Sequence, residues 1–227
     1  MLEYKFAYLF LDLIGLPIWL FLFINRKDLR HKILVLSLLF GLLGPISHFW
    51  YLKDYWEPIN ITGTSFGVED FLFGFLIGGI GSVLYEELFA KRFSNRRYRK
   101  HNWALIFIFI IGCGVILSNI LFLYLKLNSI YSSFVAFVIV CFGIIIFRRD
   151  LFFDALMSGF LCGLIFLIGY LILLTFYPLI FQAFWQLDNL SGIRIGKIPI
   201  EEILWAFGFG MVVGPMYEFY AGLRFKK

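Results

Sequence analysis

Several stretches of this chain run past about 18 consecutive, predominantly apolar residues, the length needed to cross a bilayer as a helix. That feature alone removes most soluble folds from consideration and makes the chain a polytopic membrane protein. Composition agrees: of 227 residues, 61% are hydrophobic, 21% aromatic and only 15% charged, whereas a soluble domain usually carries more charge. The net charge of +5 therefore speaks to topology. No interleaving of basic and aromatic residues suggests nucleic acid. Cys113, Cys141 and Cys162 fall inside apolar runs without metal spacing and read as small packing or membrane-facing residues.

Seven spans are predicted, at about 5–25, 33–52, 67–90, 103–126, 131–147, 152–182 and 199–222. Fifteen of the 20 basic residues lie on one side of these spans, in the connections that contain Arg26, Lys32, Arg96, Arg97 and Arg148 and at the C-terminus. The other five, Lys5, Lys53, Lys126, Arg194 and Lys197, lie on the opposite side. Positive charge collects in the cytoplasm, so the N-terminus is expected outside and the C-terminus inside a plasma membrane. The basic stretch Ser94–His101 reads as a solvated, headgroup-facing segment.

The chain also contains one pattern twice. Gly67-Val-Glu-Asp-Phe-Leu72 matches Pro199-Ile-Glu-Glu-Ile-Leu204, and the register continues through Phe75 and Phe207, Gly78 and Gly210, and Tyr85-Glu86 and Tyr217-Glu218. Upstream, Trp56-x-x-x-Asn60-Ile-Thr-Gly63 matches Trp185-x-x-x-Asn189-Leu-Ser-Gly192. The connection Ile24-Asn-Arg26-Lys27-Asp28-Leu29 resembles Ile146-Phe-Arg148-Arg149-Asp150-Leu151. Spans one to three thus correspond to spans five to seven. The expected fold is all-α, with seven transmembrane helices in a 3+1+3 parallel tandem repeat. Its domains are residues 1–102, a linker helix at 103–126, and residues 127–227.

Both acidic motifs then lie at one depth, near the outer ends of spans three and seven. Adjacent residues on a helix point about 100° apart. The face below Asp70 carries Gly74, Gly78 and Ser82, and that below Glu202 carries Ala206, Gly210 and Gly214. Small residues at this spacing let helices approach closely. Glu69 stands above Phe73 and Glu201 above Trp205, an arrangement that suits a pocket for a greasy ligand. A structural role for all four acids, binding water or loops in a helix interface, is the competing reading. Asn60 and Asn189 end the outer loops as short polar turns, and both also fit an N-glycosylation acceptor pattern that the duplication already explains.

Glu86, Glu87 and Glu218 border the basic connections, where ion pairing is the default, Glu87 with Lys91 one turn on. Asp12 sits about 12 Å into the first span at 1.5 Å per residue, and His48 near the outer end of span two is in position to reach it. A structural Asp–His pair and a proton relay are both consistent with that placement. Gly78-Gly-Ile-Gly81 and Gly208-Phe-Gly210 lack a preceding strand and read as packing glycines rather than phosphate loops. No Cys/His cluster has metal spacing, and no metal is expected.

The Pro199-Ile-Glu-Glu202 motif on a repeated three-span unit resembles the small membrane-integral lycopene cyclases, the bacterial heterodimeric carotenoid cyclases and their fused archaeal and fungal relatives. Pro58-x-x-Ile-Thr-Gly63 resembles the loop that precedes this motif. The resemblance spans essentially the whole chain as a fused two-unit form. It departs at Gly67, where the motif has proline, while the acids Glu69 and Asp70 remain. It implies an intramolecular lyase or isomerase of the lycopene β-cyclase type. Glu69, Asp70, Glu201 and Glu202 would be catalytic, and Phe73, Trp205, Asn60, Asn189, Asp12 and His48 would meet the substrate.

The residues fit such chemistry. Ring closure of a linear polyene needs a proton delivered to a terminal alkene and a proton lost from the ring cation. Buried carboxylic acids can hold a proton near neutrality, a carboxylate can receive one, and aromatic faces attract cations. No redox change is required overall, so no cofactor is expected, although the reading leaves room for a loosely held reduced flavin or nicotinamide. The expected partners are a lipophilic polyene within the bilayer and membrane lipids, with no nucleic acid. The alternative is a non-catalytic carotenoid- or retinoid-binding or transport-type seven-helix protein. A retinal Schiff base has no lysine to use in span seven, since Lys197 precedes it.

Overall fold

The computed structural model describes residues 4–94 and 102–226. Most of the basic stretch at 94–101 lies outside the described residues. The elements are α1 (Ala7–Asn25), α2 (Arg30–Tyr51), α3 (Val68–Gly81), α4 (Leu84–Leu88), α5 (Trp103–Asn119), α6 (Ser129–Phe147), α7 (Phe152–Phe176), α8 (Ile180–Phe184) and α9 (Ile200–Ala221). Among the described residues the fold is all-α apart from a two-residue antiparallel pairing of Arg194–Ile195 with Ile198–Pro199 that leads into α9.

Among the described residues, five helical segments are long and apolar enough to cross a membrane: Ala7–Asn25, Arg30–Tyr51, Trp103–Tyr124, Ser129–Phe147 and Arg149–Phe176. They present large apolar side chains outward, with Phe109 71% and Phe142 65% exposed, as lipid-facing surfaces require. The segments expected as spans three and seven differ from these. Residues 67–90 do not form one helix. α3 has 14 residues, about 21 Å at 1.5 Å per residue, and the chain breaks at Ser82–Val83, where the Ser82 hydroxyl bonds to the Gly79 carbonyl at 2.7 Å. α9 is long enough, with 22 residues, but carries Glu201, Glu202 and Glu218, all buried. Both helices are interior elements walled by the apolar ones. The segment 152–182 is also divided, because Pro178 disfavours helical geometry at Tyr177 and α7 stops at Phe176.

Two helix pairs pack with their backbones in contact. A Cβ on Gly74 of α3 would collide with the Phe40 carbonyl of α2, and one on Gly210 of α9 would come 2.5 Å from the Ser158 carbonyl of α7. The glycine faces below Asp70 and Glu202 thus pack as their spacing predicted.

Residues aligned by the sequence pattern also meet across the molecule. Trp56 and Trp185 form a short antiparallel bridge at one end, and Phe93 and Phe225 form another at the other end. The Arg-x-Asp connections make equivalent bonds. Arg26 binds Asp28 and reaches the carbonyls of Glu86 at 2.7 Å and Lys91 at 2.8 Å. Arg148 binds Asp150 and reaches the carbonyls of Glu218 at 3.3 Å and Leu223 at 2.6 Å. Each arginine thereby satisfies terminal carbonyls that a helix end leaves open. Arg26 also holds the Asp28 carboxyl below its ordinary range by direct hydrogen bonding.

Two expectations about charges are corrected here. Lys32 is not a loop residue but lies inside α2, 1% exposed. Glu87 pairs with Arg26 at 3.2 Å rather than with Lys91, because the arginine fork reaches over the end of α4.

Candidate active site

Near the acid-bearing ends of α3 and α9 the helices enclose an apolar cavity of about 180 Å³. Asp70 and Glu202 both line it, together with His48, Trp56, Phe73, Tyr170, Trp185 and Trp205. Glu69 and Glu201 do not. Each first acid of the pair turns instead to the loop that precedes its helix. Glu69 accepts the Ile61 amide at 2.7 Å. Glu201 accepts the Ser191 amide at 2.8 Å and the Tyr131 hydroxyl at 2.7 Å. The expectation that Glu69 and Glu201 stand over the pocket is therefore corrected: the roughly 100° between neighbours places the second acid on the cavity.

Asp70 has two distinct partners. Its Oδ2 accepts the Gly67 amide at 2.7 Å, as a helix-start acid does. Its Oδ1 lies 2.8 Å from Nε2 of His48. On the far side of the imidazole, Nδ1 sits 3.2 Å from the Ser65 carbonyl. A carbonyl only accepts, so Nδ1 carries a proton. The Nε2–Oδ1 approach is a close contact of imidazole and carboxyl that is not aligned as a hydrogen bond. His48 thus pairs with Asp70 and not with Asp12. Asp12 is buried nearby, and neither of its carboxylate oxygens has a hydrogen-bond partner.

Glu202 is held differently. The Trp185 indole donates to Oε1 at 2.5 Å, and the Tyr170 hydroxyl binds Oε2. Indole is a donor only, so Oε1 is unprotonated. The indole and the phenol are the two groups that fix this carboxyl in place.

Between the acids stand aromatic walls. Trp205 stacks on Phe209 with ring centroids 5.3 Å apart and is fixed by its N–H donating to the Tyr51 hydroxyl at 2.8 Å. Phe73 meets Phe166 at 6.0 Å, and Trp56 meets Trp185 at 5.9 Å. Of the expected substrate contacts, Phe73, Trp205 and His48 line the cavity. Asn60 and Asn189 do not: Asn60 ties its own turn through Thr64, and Asn189 donates to the Asp54 carbonyl at 2.8 Å.

Tyr170 and Trp185 escaped the sequence reading. A signal for each was present, since Tyr170 follows His48 by the same 122 residues that separate Asp28 from Asp150. Trp185 was already half of the repeated Trp-x-x-x-Asn pattern.

No curated protein and no solved structure matches this chain. One family model does, the one described as lycopene cyclase, over residues 128–220. That segment contains Tyr170, Trp185, Glu202 and Trp205, one side of the cavity. Residues 128–220 are thus similar to the lycopene cyclase family.

Proposed function

We propose that the protein is a carotenoid cyclase that closes the end group of a linear polyene to an ionone ring by internal proton transfer. The observation that carries this reading is the apolar, aromatic-walled cavity with a carboxyl group on each side, Asp70 and Glu202. The family domain implies an enzyme; the acid–base roles are our assignment from the hydrogen bonds. Asp70, with the His48 imidazole 2.8 Å away, is the acid. It protonates the terminal alkene. The tertiary cation formed is attacked by the next double bond, closing the ring and moving the charge to a ring carbon. Glu202, held by Tyr170 and Trp185, takes a neighbouring C–H proton as the new double bond forms. One proton enters and one leaves, so the product has the mass of the substrate and no redox cofactor is needed. The faces of Trp205 and Phe73 stabilise the intermediate cation.

The cavity volume suits this division. Apolar cavities of about 150 Å³ take up a benzene-sized ring, so 180 Å³ holds one cyclising end group while the rest of the polyene lies among the helices or in lipid.

The architecture that supports the site is a 3+1+3 tandem: residues 1–102, a linker helix at 103–126, and 127–227, crossing a plasma membrane seven times with α3–α4 and α9 as the two interior crossings. Matching Arg–Asp connections and the bridges Trp56–Trp185 and Phe93–Phe225 support it. The acids then face the outer leaflet and the C-terminus the cytoplasm. Reporter fusions after residues 60 and 190 should be external, and fusions after residue 92 and at the C-terminus cytoplasmic. Reports of residues 92 and 190 from one side would remove this topology.

Expression in a bacterium that accumulates lycopene tests the function. The red pigment should give way to a yellower product of unchanged mass, because ring closure twists the end double bond out of conjugation. A product heavier by water would mean capture of the cation by hydration. Unchanged pigment, with the protein folded and inserted, would favour a non-catalytic carotenoid-binding protein.

A further inference from the structure

At the end of the helices away from the cavity, four of them bury charged groups against one another. Lys32 of α2 donates to Glu86 Oε1 at 2.6 Å, Glu218 Oε1 at 2.7 Å and the Gly214 carbonyl at 3.1 Å. Its three protons are thereby used. Asp154 of α7 lies beside them, taking only the Ser158 hydroxyl at 3.2 Å. Glu86, Asp154 and Glu218 are each at most 1% exposed. Each nevertheless keeps one carboxylate oxygen, Glu86 Oε2, Asp154 Oδ2 and Glu218 Oε2, with no hydrogen bond.

If all three carboxyls are ionised, one ammonium leaves two negative charges uncompensated, in a place where uncompensated charge is costly. Lys32 has no proton left to give. One oxygen from each acid lies within 4.8 Å of those from the other two, a spread that oxygens about 2.0–2.6 Å from one hard cation would show. A polar recess of about 430 Å³ lies on the other side of Lys32, lined by Asp28, His31 and Lys32 itself.

We propose that Glu86, Asp154 and Glu218 bind one hard divalent cation of the Mg²⁺ or Ca²⁺ class, which neutralises the cluster and ties α4, α7 and α9 together. The site is structural and independent of the cyclisation chemistry.

The test uses full-length protein in detergent, stripped with chelator and returned to Mg²⁺ or Ca²⁺ at constant ionic strength. Equilibrium dialysis should find one saturable ion per chain, and the thermal midpoint should rise with occupancy. Asp154→Asn and Glu218→Gln should weaken binding by roughly tenfold or more, a loss already typical for an outer-shell partner. Lys32→Met should tighten it, since a competing positive charge is gone. Glu218→Asp keeps the charge and serves where the neutral variants do not fold; it too should bind more weakly. Absence of saturable binding to the wild-type protein would overturn the proposal, as would binding that these substitutions leave unchanged. In either case protons balance the cluster.

Discussion

His48 and Tyr170 hold equivalent posts, one on each side of the cavity: the imidazole lies 2.8 Å from Asp70, and the phenol is hydrogen-bonded to Glu202. The two acids have matching places in the chain and unlike partners. An imidazole has two ring nitrogens, one able to donate and one to accept, whereas a phenol and an indole mainly donate to the oxygens they touch. This difference sets the direction of proton flow proposed above. It predicts that His48→Gln, which keeps a side chain of similar reach, lowers turnover by about 10²-fold or more, within the range for a positioned acid–base group. Tyr170→Phe should cost less, because the Trp185 bond to Glu202 remains. Equal losses for both variants, measured by pigment conversion per folded molecule, would remove the asymmetry.

The two acids of each motif should separate by readout. Asp70→Asn and Glu202→Gln should abolish ring closure while the detergent-solubilised protein keeps most of its thermal stability. Glu69→Gln and Glu201→Gln should instead lower stability by about 1.5–3 kcal/mol each, the range for a hydrogen bond to a charged group, and leave turnover per folded molecule largely intact. Full activity in Asp70→Asn would return the chemistry to the first acids.

Much of this site is legible in the sequence. The doubled acidic motif, Phe73, Trp205 and His48 all belong to one constellation, and the glycine faces pack as their spacing required. Which acid of each pair meets the cavity was not legible. Helical spacing separates Glu69 from Asp70 by angle, but only the path of the preceding loop shows which side is filled. The loops return over their own helices and present the amides of Ile61 and Ser191 to the first acids. The buried cluster around Lys32 was hidden for a related reason. Lys32 sits among Arg26, Lys27 and Arg30 in sequence and reads as another interfacial charge, and Asp154 stands alone in an apolar run. Their meeting with Glu86 and Glu218 is a tertiary fact. Seven uniform spans also proved too simple, since α3 breaks where Ser82 turns back on Gly79.

The contact between α2 and α3 gives a packing test that leaves every charged group in place. Gly74→Ala would drive a methyl group into the Phe40 carbonyl, and overpacking of this kind typically costs about 1–3 kcal/mol. Because Asp70 is one turn away, the shift should also disturb its register with His48. Activity should therefore fall further than the lost stability explains. Gly112→Ala, at a position with nothing near its Cβ, is the control and should change neither.

The last prediction concerns substrates with two reactive ends. Both proposed proton-transfer acids, Asp70 and Glu202, line one cavity of about 180 Å³. That volume is close to the size that holds a single six-membered ring, and a long polyene cannot place both termini there together. A second ring would require the half-cyclised molecule to withdraw, reverse and enter again through the bilayer. Conversion of lycopene should therefore pass through a monocyclic species that appears first and leaves the protein before any bicyclic product forms. Sampling pigments through the reaction by chromatography with absorbance and mass detection checks this, since all three species share one mass and differ in spectrum. Added unlabelled monocyclic pigment should dilute label from lycopene out of the bicyclic product. Bicyclic product forming from the outset, with no monocyclic species at any time and no dilution, would show that the two ends are handled without release, and a single end-group cavity would then be the wrong description of the site.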